Sequence, residues 1–216
     1  MTDRESNAQL APGACPASLY RRLLGPDWDR LPPCVAALHD VSDELTARGR
    51  ADIQRGRGWL AQLAATLAGF PKAAAETDVE VHFQARDGIE IWTRRFGGKV
   101  FRSVQMAGGD ADAPRLAEDL GPFRILMALV VENGRLLLQV RGWRFLGLHM
   151  PMALAPGGTV HEEERDGRFR FHVEVRAPLV GLIVRYRGWL VPTAVPTPAT
   201  DQLPAMPSSS ASSAFR

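Results

Sequence analysis

Four residue pairs with tight-turn chemistry, Asp87-Gly88, Gly97-Gly98, Asn133-Gly134 and Asp166-Gly167, punctuate the last two thirds of this 216-residue chain. Each supplies the positive φ angles that a short β-hairpin connection demands. From Val79 onward, apolar and polar residues between them alternate with a period of two. The pattern predicts strands at about 79–85, 89–96, 99–106, 122–132, 135–146, 160–164, 168–176 and 180–191. No helical segment of crossover length separates any two of them, which excludes a parallel, Rossmann-type sheet. A meander of this many strands, strongly twisted, must curl. The expected fold class is α+β: a mainly antiparallel β meander curled into a barrel or half-barrel, with N-terminal helices packed on the sheet.

The helices are expected within residues 18–71. Ser18 can cap a short one with Leu19 and Leu23 on one face, stopped by Gly25-Pro26. A second starts at Pro32-Pro33 and runs to about His39. In the third, Trp59, Leu60, Leu63, Ala64 and Leu67 form one stripe, which should lie on the sheet, and Gly69-Phe70-Pro71 ends it. Residues 1–17 and 193–216 are rich in Pro, Ser, Ala and Thr without hydrophobic period, and are expected to be disordered tails. A single globular domain is thus expected over residues 18–192, helical over 18–71 and sheet over 78–192.

Charge and motif content narrow the function. With 26 basic and 24 acidic side chains the formal charge is only +2, unlike a nucleic-acid binder with its concentrated cationic face. Met1–Ala17 holds no apolar run of signal-peptide length, and the longest apolar stretch, Ile125 to Val131, is seven residues, against about 20 for a spanning helix. No transmembrane segment and a cytoplasmic location are expected. Cys15 and Cys34 are the only cysteines, and two free thiols are the expected state. The chain has no Gly-x-Ser-x-Gly elbow, no Ser-x-x-Lys, no His-x-x-x-His and no Cys-x-x-Cys. Gly56-Arg57-Gly58 lacks dinucleotide-binding spacing, so neither metal nor cofactor is expected.

Turn length sets register, and register decides which side chains face inward. A three-residue loop Arg86-Asp87-Gly88 would pair Phe83 with Ile91 and Val81 with Thr93. The Gly97-Gly98 turn then pairs Thr93 with Arg102 and Arg95 with Val100, carrying Arg95 and Arg102 onto the apolar face. Asn133-Gly134 pairs Val131 with Leu136, Leu129 with Leu138 and Met127 with Val140; the opposite side is also apolar, and the helix around Leu63 is expected to cover it. A three-residue loop Arg165-Asp166-Gly167 sets Glu164 against Arg168 and Glu162 against Arg170 outside, and turns His161 and Glu163 inward beside Phe169 and Phe171. A buried carboxylate needs a partner. The expected site is a pocket lined by Val81, Phe83, Ile91, Phe169, Phe171 and Val173, with Arg95, Arg102, His161 and Glu163 fixing its polar end.

The ordered set Leu19-Tyr20-Arg21-Arg22-Leu23-Leu24-Gly25, Leu31-Pro32-Pro33 with Leu38-His39, Arg55-Gly56, Trp92-Thr93-Arg94-Arg95-Phe96-Gly97-Gly98, Glu118-Asp119-Leu120-Gly121-Pro122, Pro151-Met152-Ala153-Leu154-Ala155-Pro156, Asp166-Gly167-Arg168-Phe169-Arg170-Phe171 and Pro178-Leu179-Val180-Gly181 with Tyr186-Arg187-Gly188 spans about residues 18 to 192. In this combination the chain resembles the bacterial family catalogued as domain of unknown function 4166. The resemblance implies no activity, cofactor or catalytic residue. It does imply relatives in which such a domain is joined to a saccharopine-dehydrogenase-like or short-chain reductase module. The function expected first is noncatalytic binding of a small hydrophobic or amphipathic ligand. The alternatives are an interaction module for a nicotinamide-dependent reductase, with exposed Trp and Arg as anchors, and an enzyme using Glu163 as acid or base.

Overall fold

A computed structural model describes residues 17–110 and 113–193. The expected tails, 1–17 and 193–216, lie outside them except for Ala17 and Thr193. The chain begins with α1 (Leu19–Leu24), a 3-10 turn (Gly25–Arg30) and α2 (Pro33–His39), then enters β1 (Glu44–Arg55) and α3 (Trp59–Leu67). There follow β2 (Ala74–Arg86), β3 (Ile89–Phe96), β4 (Lys99–Asp110), β5 (Ala113–Leu120), β6 (Phe123–Glu132) and β7 (Arg135–Phe145). The short β8 (Leu148–His149) and a 3-10 turn (Met152–Leu154) lead to β9 (Val160–Arg165), β10 (Arg168–Ala177) and β11 (Gly181–Thr193).

Every pairing is antiparallel, and the ring runs β1-β2-β3-β4-β5-β6-β7-β9-β10-β11 and back to β1, a closed ten-stranded barrel with β8 as a spur on the end of β7. The meander therefore closes fully, which removes every exposed edge but the spur's. Its interior is a continuous cluster of aromatic and aliphatic side chains from α1, α2 and nine of the ten strands, β9 contributing none. Among the described residues no helix is long and apolar enough to cross a membrane.

Two strands of the barrel, besides the spur β8, were not expected. Residues 44–55, placed among the helices by pattern, form β1, and residues 113–120 form β5. The inward side chains of β1 are small, Ala47 and Ala51 flanking Gly49, so its hydrophobic period is faint. The smallness has a cause at the barrel's closing seam. A Cβ on Gly49 would lie 1.8 Å from the Trp189 carbonyl oxygen, and one on Gly188 2.1 Å from that of Arg50. In β5 the alternation is masked by Arg115, Glu118 and Asp119.

Alternate connections gather at opposite ends of the barrel. At one end, α1 and α2 close the barrel as a cap: Arg22 donates to the Gly88 carbonyl at 3.2 Å, and the Cys34 amide donates to Glu164 Oε2 at 2.9 Å. At the other end lie α3, the Gly97-Gly98 and Gly121-Pro122 turns, the segment 146–159 and the 178–180 turn. The expectation for α3 is overturned. Its alanine face, Ala61, Ala65 and Ala68, is buried, while Trp59, Leu60, Leu63 and Leu67 face solvent. Only small side chains fit there: the Gly56 Cβ position is 2.8 Å from Ala61 Cβ. The outer side of the β6–β7 hairpin therefore lacks the cover expected of this helix.

Register corrects the inward faces of two hairpins. Asp87 and Gly88 have φ of 51° and 78°, Asp166 and Gly167 55° and 66°, so both connections are two-residue turns with left-handed residues at both positions. Hence Phe83 opposes Trp92, Val81 opposes Arg94, and Phe171 opposes Glu162. The pairings across Gly97-Gly98 and Asn133-Gly134 are those expected, Arg95 with Val100 and Leu129 with Leu138 among them.

Candidate functional site

The register change moves the expected polar residues outward. Arg95 and Arg102 lie on the outer wall, exposed, with Arg102 Nε donating to Thr93 Oγ1 at 3.3 Å. His161 stacks on His172 across the outer face at 5.1 Å between centroids. Burial, His172 and Arg135 all hold its pKa below the usual imidazole range, the first most strongly. Glu163 accepts from Arg135 Nε at 2.7 Å. Ile91 is half-buried on that outer face, sharing no wall with the interior. Phe83, Phe169 and Phe171, with Val81 and Val173, do face the interior. The physical reason for the difference is long-range compensation. The two-residue register places Arg94 and Glu162 inside, and partners from distant segments meet both.

Those partners form a polar cluster against the cap. Arg94 donates to Ser103 Oγ at 2.6 Å and to Glu118 Oε1 at 3.2 Å, and its guanidinium lies 4.6 Å from the Trp92 ring centroid and 5.3 Å from that of Phe101. Gln105 Nε2 donates to the same Glu118 oxygen at 3.2 Å, and Gln105 Oε1 accepts from the Tyr20 hydroxyl at 3.0 Å. His39 Nε2 meets Glu162 Oε2 at 2.5 Å, its ring stacked 3.9 Å from that of Tyr20. Trp92 Nε1 donates to Glu90 Oε2 at 3.0 Å. Tyr20 and His39 arrive on the cap helices, Glu90, Trp92 and Arg94 on β3, Ser103 and Gln105 on β4, Glu118 on β5 and Glu162 on β9.

Burial shapes the acidities. Desolvation, then the charges of Glu162, Glu90 and Glu118, push the Tyr20 hydroxyl well above its ordinary pKa. Desolvation also raises the Glu90 carboxyl, although the Trp92 indole and the His39 charge pull the other way. Tyr186, on the opposite wall, is pushed up to about 12 by burial. His39 Nδ1 has no partner among the described residues, whereas the Glu90 carboxyl is also met by the Leu19 backbone.

Above the cluster the barrel holds a cavity of about 280 Å³. Its walls are Val81, Phe83, Phe96, Phe101, Phe171 and Val173 among other apolar side chains, and Tyr20, His39, Arg94, Gln105, Glu118 and Glu162 bring polar atoms to it. The wall is thinnest between β7 and β9, which pair over only three residues, Arg135 with Glu163 through Leu137 with His161. Beyond that point β7 leaves β9, and the stretch Leu154 to Gly158 fills the gap beside Leu138 and Val140. Among the described residues no three of His, Cys, Asp and Glu converge as a metal-ligand set.

Sequence reasoning missed Tyr20, His39, Glu90, Arg94, Ser103, Gln105, Glu118 and Glu162. One signal was available for the strand residues: Trp92 and Phe96 alternate with Ile91 and Arg95, and following the larger rings inward carries Glu90 and Arg94 with them. Nothing in the pattern could have brought His39 to Glu162, which are 123 residues apart.

Ten antiparallel strands, a helical cap and an apolar chamber with a polar end define a capped up-and-down barrel. The sequence model of the family described as domain of unknown function (DUF4166) matches residues 31–190, and the chain belongs to that family. A comparison with curated proteins gives no match.

Proposed function

We propose that the barrel binds one small, mainly apolar molecule whose polar end is uncharged. The observation that carries this reading is the chamber itself, apolar along its walls and polar at the cap, where the buried His39 ring keeps one nitrogen without a partner among the described residues. Ligand sites characteristically combine apolar lining with a few placed polar groups. At about 30 Å³ for each water-sized group, a chamber of about 280 Å³ takes roughly nine non-hydrogen atoms. The charge at the cap disfavours an anion. Glu118 and Glu162 border the chamber together with one permanent cation, Arg94, which is already paired with Glu118, so a further buried negative charge would go uncompensated. A hydroxyl suits the place, since it can donate to a carboxylate or ring nitrogen and accept in turn.

The acid/base reading centred on Glu163 has no support from the chamber, because that carboxylate is paired with Arg135 on the outer wall. Calorimetric titration with n-octanol and with octanoate tests the proposal. The alcohol should bind and the carboxylate should bind at least about tenfold more weakly, a difference of about 1.4 kcal/mol. Absence of octanol binding, together with no retained small molecule in native mass spectra of protein taken from cells, would refute it.

A further inference from the structure

The hairpin tips at the two ends of the barrel use the same backbone and opposite chemistry. At the capped end the tips are Asp87-Gly88, Asn133-Gly134 and Asp166-Gly167. At the other end Leu146-Gly147 adopts the same left-handed pair, φ 50° and 83°, between Phe145 and Leu148. Leu179 adopts φ 64° at the tip between β10 and β11. Asp and Asn tolerate that region, whereas leucine is disfavoured in it. These leucines are nevertheless exposed, Leu179 by 97% and Leu146 by 70%. Beside them, Trp59 and Leu63 stand on the outer face of α3 and Leu148 just past the first tip, all exposed. Strained, solvent-facing leucines gain nothing in the isolated molecule, so their environment in use is apolar.

Charge divides the same way. The five connections at this end, residues 56–73, 97–98, 121–122, 146–159 and 178–180, contain Arg57 and Lys72 and no Asp or Glu. Lys99 stands exposed at an adjoining strand end. Three acids stand at the adjoining strand ends, each beside an arginine: Glu76 and Asp78, next to the Gly97-Gly98 turn, lie against Arg50, and Asp119 is held by Arg124. At the capped end the described connections instead carry Asp40, Asp43, Asp87 and Asp166. A rim of exposed leucines whose connections carry cations and no acids, and whose helix turns a tryptophan and leucines to solvent, has the composition of a surface that enters the headgroup layer of an anionic bilayer.

We infer that the uncapped end of the barrel docks on anionic phospholipid membranes, with the Leu146 and Leu179 tips and the outer face of α3 entering the headgroup layer. The seam between β7 and β9, near which the chamber wall is filled only by Leu154 to Gly158, opens at this end, so docking would set the chamber's thinnest wall against lipid. The inference stands whether or not the chamber takes the ligand proposed above.

Flotation of the full chain with vesicles tests it. The chain should float with vesicles of phosphatidylcholine and phosphatidylglycerol, less with phosphatidylcholine alone, and less again as salt is added. The double variant Leu146→Asn/Leu179→Asn relieves backbone strain at both tips, so its melting temperature should hold or rise while its vesicle affinity falls at least about tenfold. Arg57→Glu/Lys72→Glu should remove the preference for the anionic vesicles. No flotation of the full chain, or undiminished flotation of the leucine variant, overturns the inference. So does a dimer in sedimentation equilibrium that the leucine variant dissolves while the chain fails to float, since the rim would then face a second copy. A chain that binds octanol without floating overturns this inference alone, and one that floats without binding octanol overturns the ligand proposal alone.

Discussion

Arg94 reaches the chamber because a two-residue turn sets it opposite Val81, an exchange that costs desolvation of a cation. The barrel returns that cost through Glu118, Ser103 and the faces of two rings, and the Arg94 and Glu118 side chains keep only 11% and 12% of their exposure. Removing one partner strands the other. Arg94→Met should therefore lower stability in urea by about 3 kcal/mol, while Arg94→Met with Glu118→Gln should cost markedly less than the sum of the single changes. Equal additivity would mean the pair is not coupled. Glu90 makes the complementary case, with a direction in pH. Its carboxyl is raised in the folded state, chiefly by burial. The folded protein thus holds that proton more tightly than the unfolded chain, and the associated stability is complete below the unfolded pKa and lost as pH rises through the folded one. Glu90→Gln keeps a donor for the same site without the charge. Its melting temperature should match that of the parent near about pH 4 and exceed it near about pH 8; a gain that shrinks with rising pH would contradict the assignment.

Among the elements, hairpins were legible where a turn pair stands between two long strands, as at Asn133-Gly134, because a left-handed pair and alternating side chains leave few registers open. They misled where the register had to be chosen by charge. Pairing Glu164 with Arg168 outside looked favourable, yet the cap supplies Glu162 with His39 and Glu164 with the Cys34 amide, and these contacts outweigh a pair of exposed ion pairs. β1 was hidden for the opposite reason, since a strand that must pass close to its neighbour carries alanine and glycine where a hydrophobic period would show. That closeness can be tested directly. Gly49→Ala should destabilise the barrel by more than about 2 kcal/mol, because the obstructing atom is a backbone carbonyl of β11 that can retreat only by parting the β1–β11 seam. Gly98→Ala, whose Cβ would meet nothing within 4 Å, should change stability by less than about 0.5 kcal/mol. Similar losses from both would show that the seam is not tight.

At the scale of the molecule, the cap and the barrel should open as one cooperative body. α1 and α2 have six and seven residues, too few to persist as isolated helices in water. Their order is borrowed from the barrel, which in turn needs them. Without the cap, Gln105 loses the Tyr20 hydroxyl, Glu162 loses His39, and Leu38 and Val35 leave the end of the core open. Buried polar groups stripped of partners and apolar surface opened to water act in the same direction. Native-state hydrogen exchange should consequently give the Asp40 amide, bonded to the Ala36 carbonyl within α2, an opening free energy close to that of the β9–β10 amides. Both should fall together as low concentrations of urea are added. Tyr20→Phe should lower the two by a common amount of about 1 kcal/mol, the net worth of one hydrogen bond. If the α2 amide instead opened at a lower free energy with no dependence on urea, the cap would be a lid that lifts from a self-sufficient barrel, and the chamber would then have its entrance at the polar end rather than at the leucine rim.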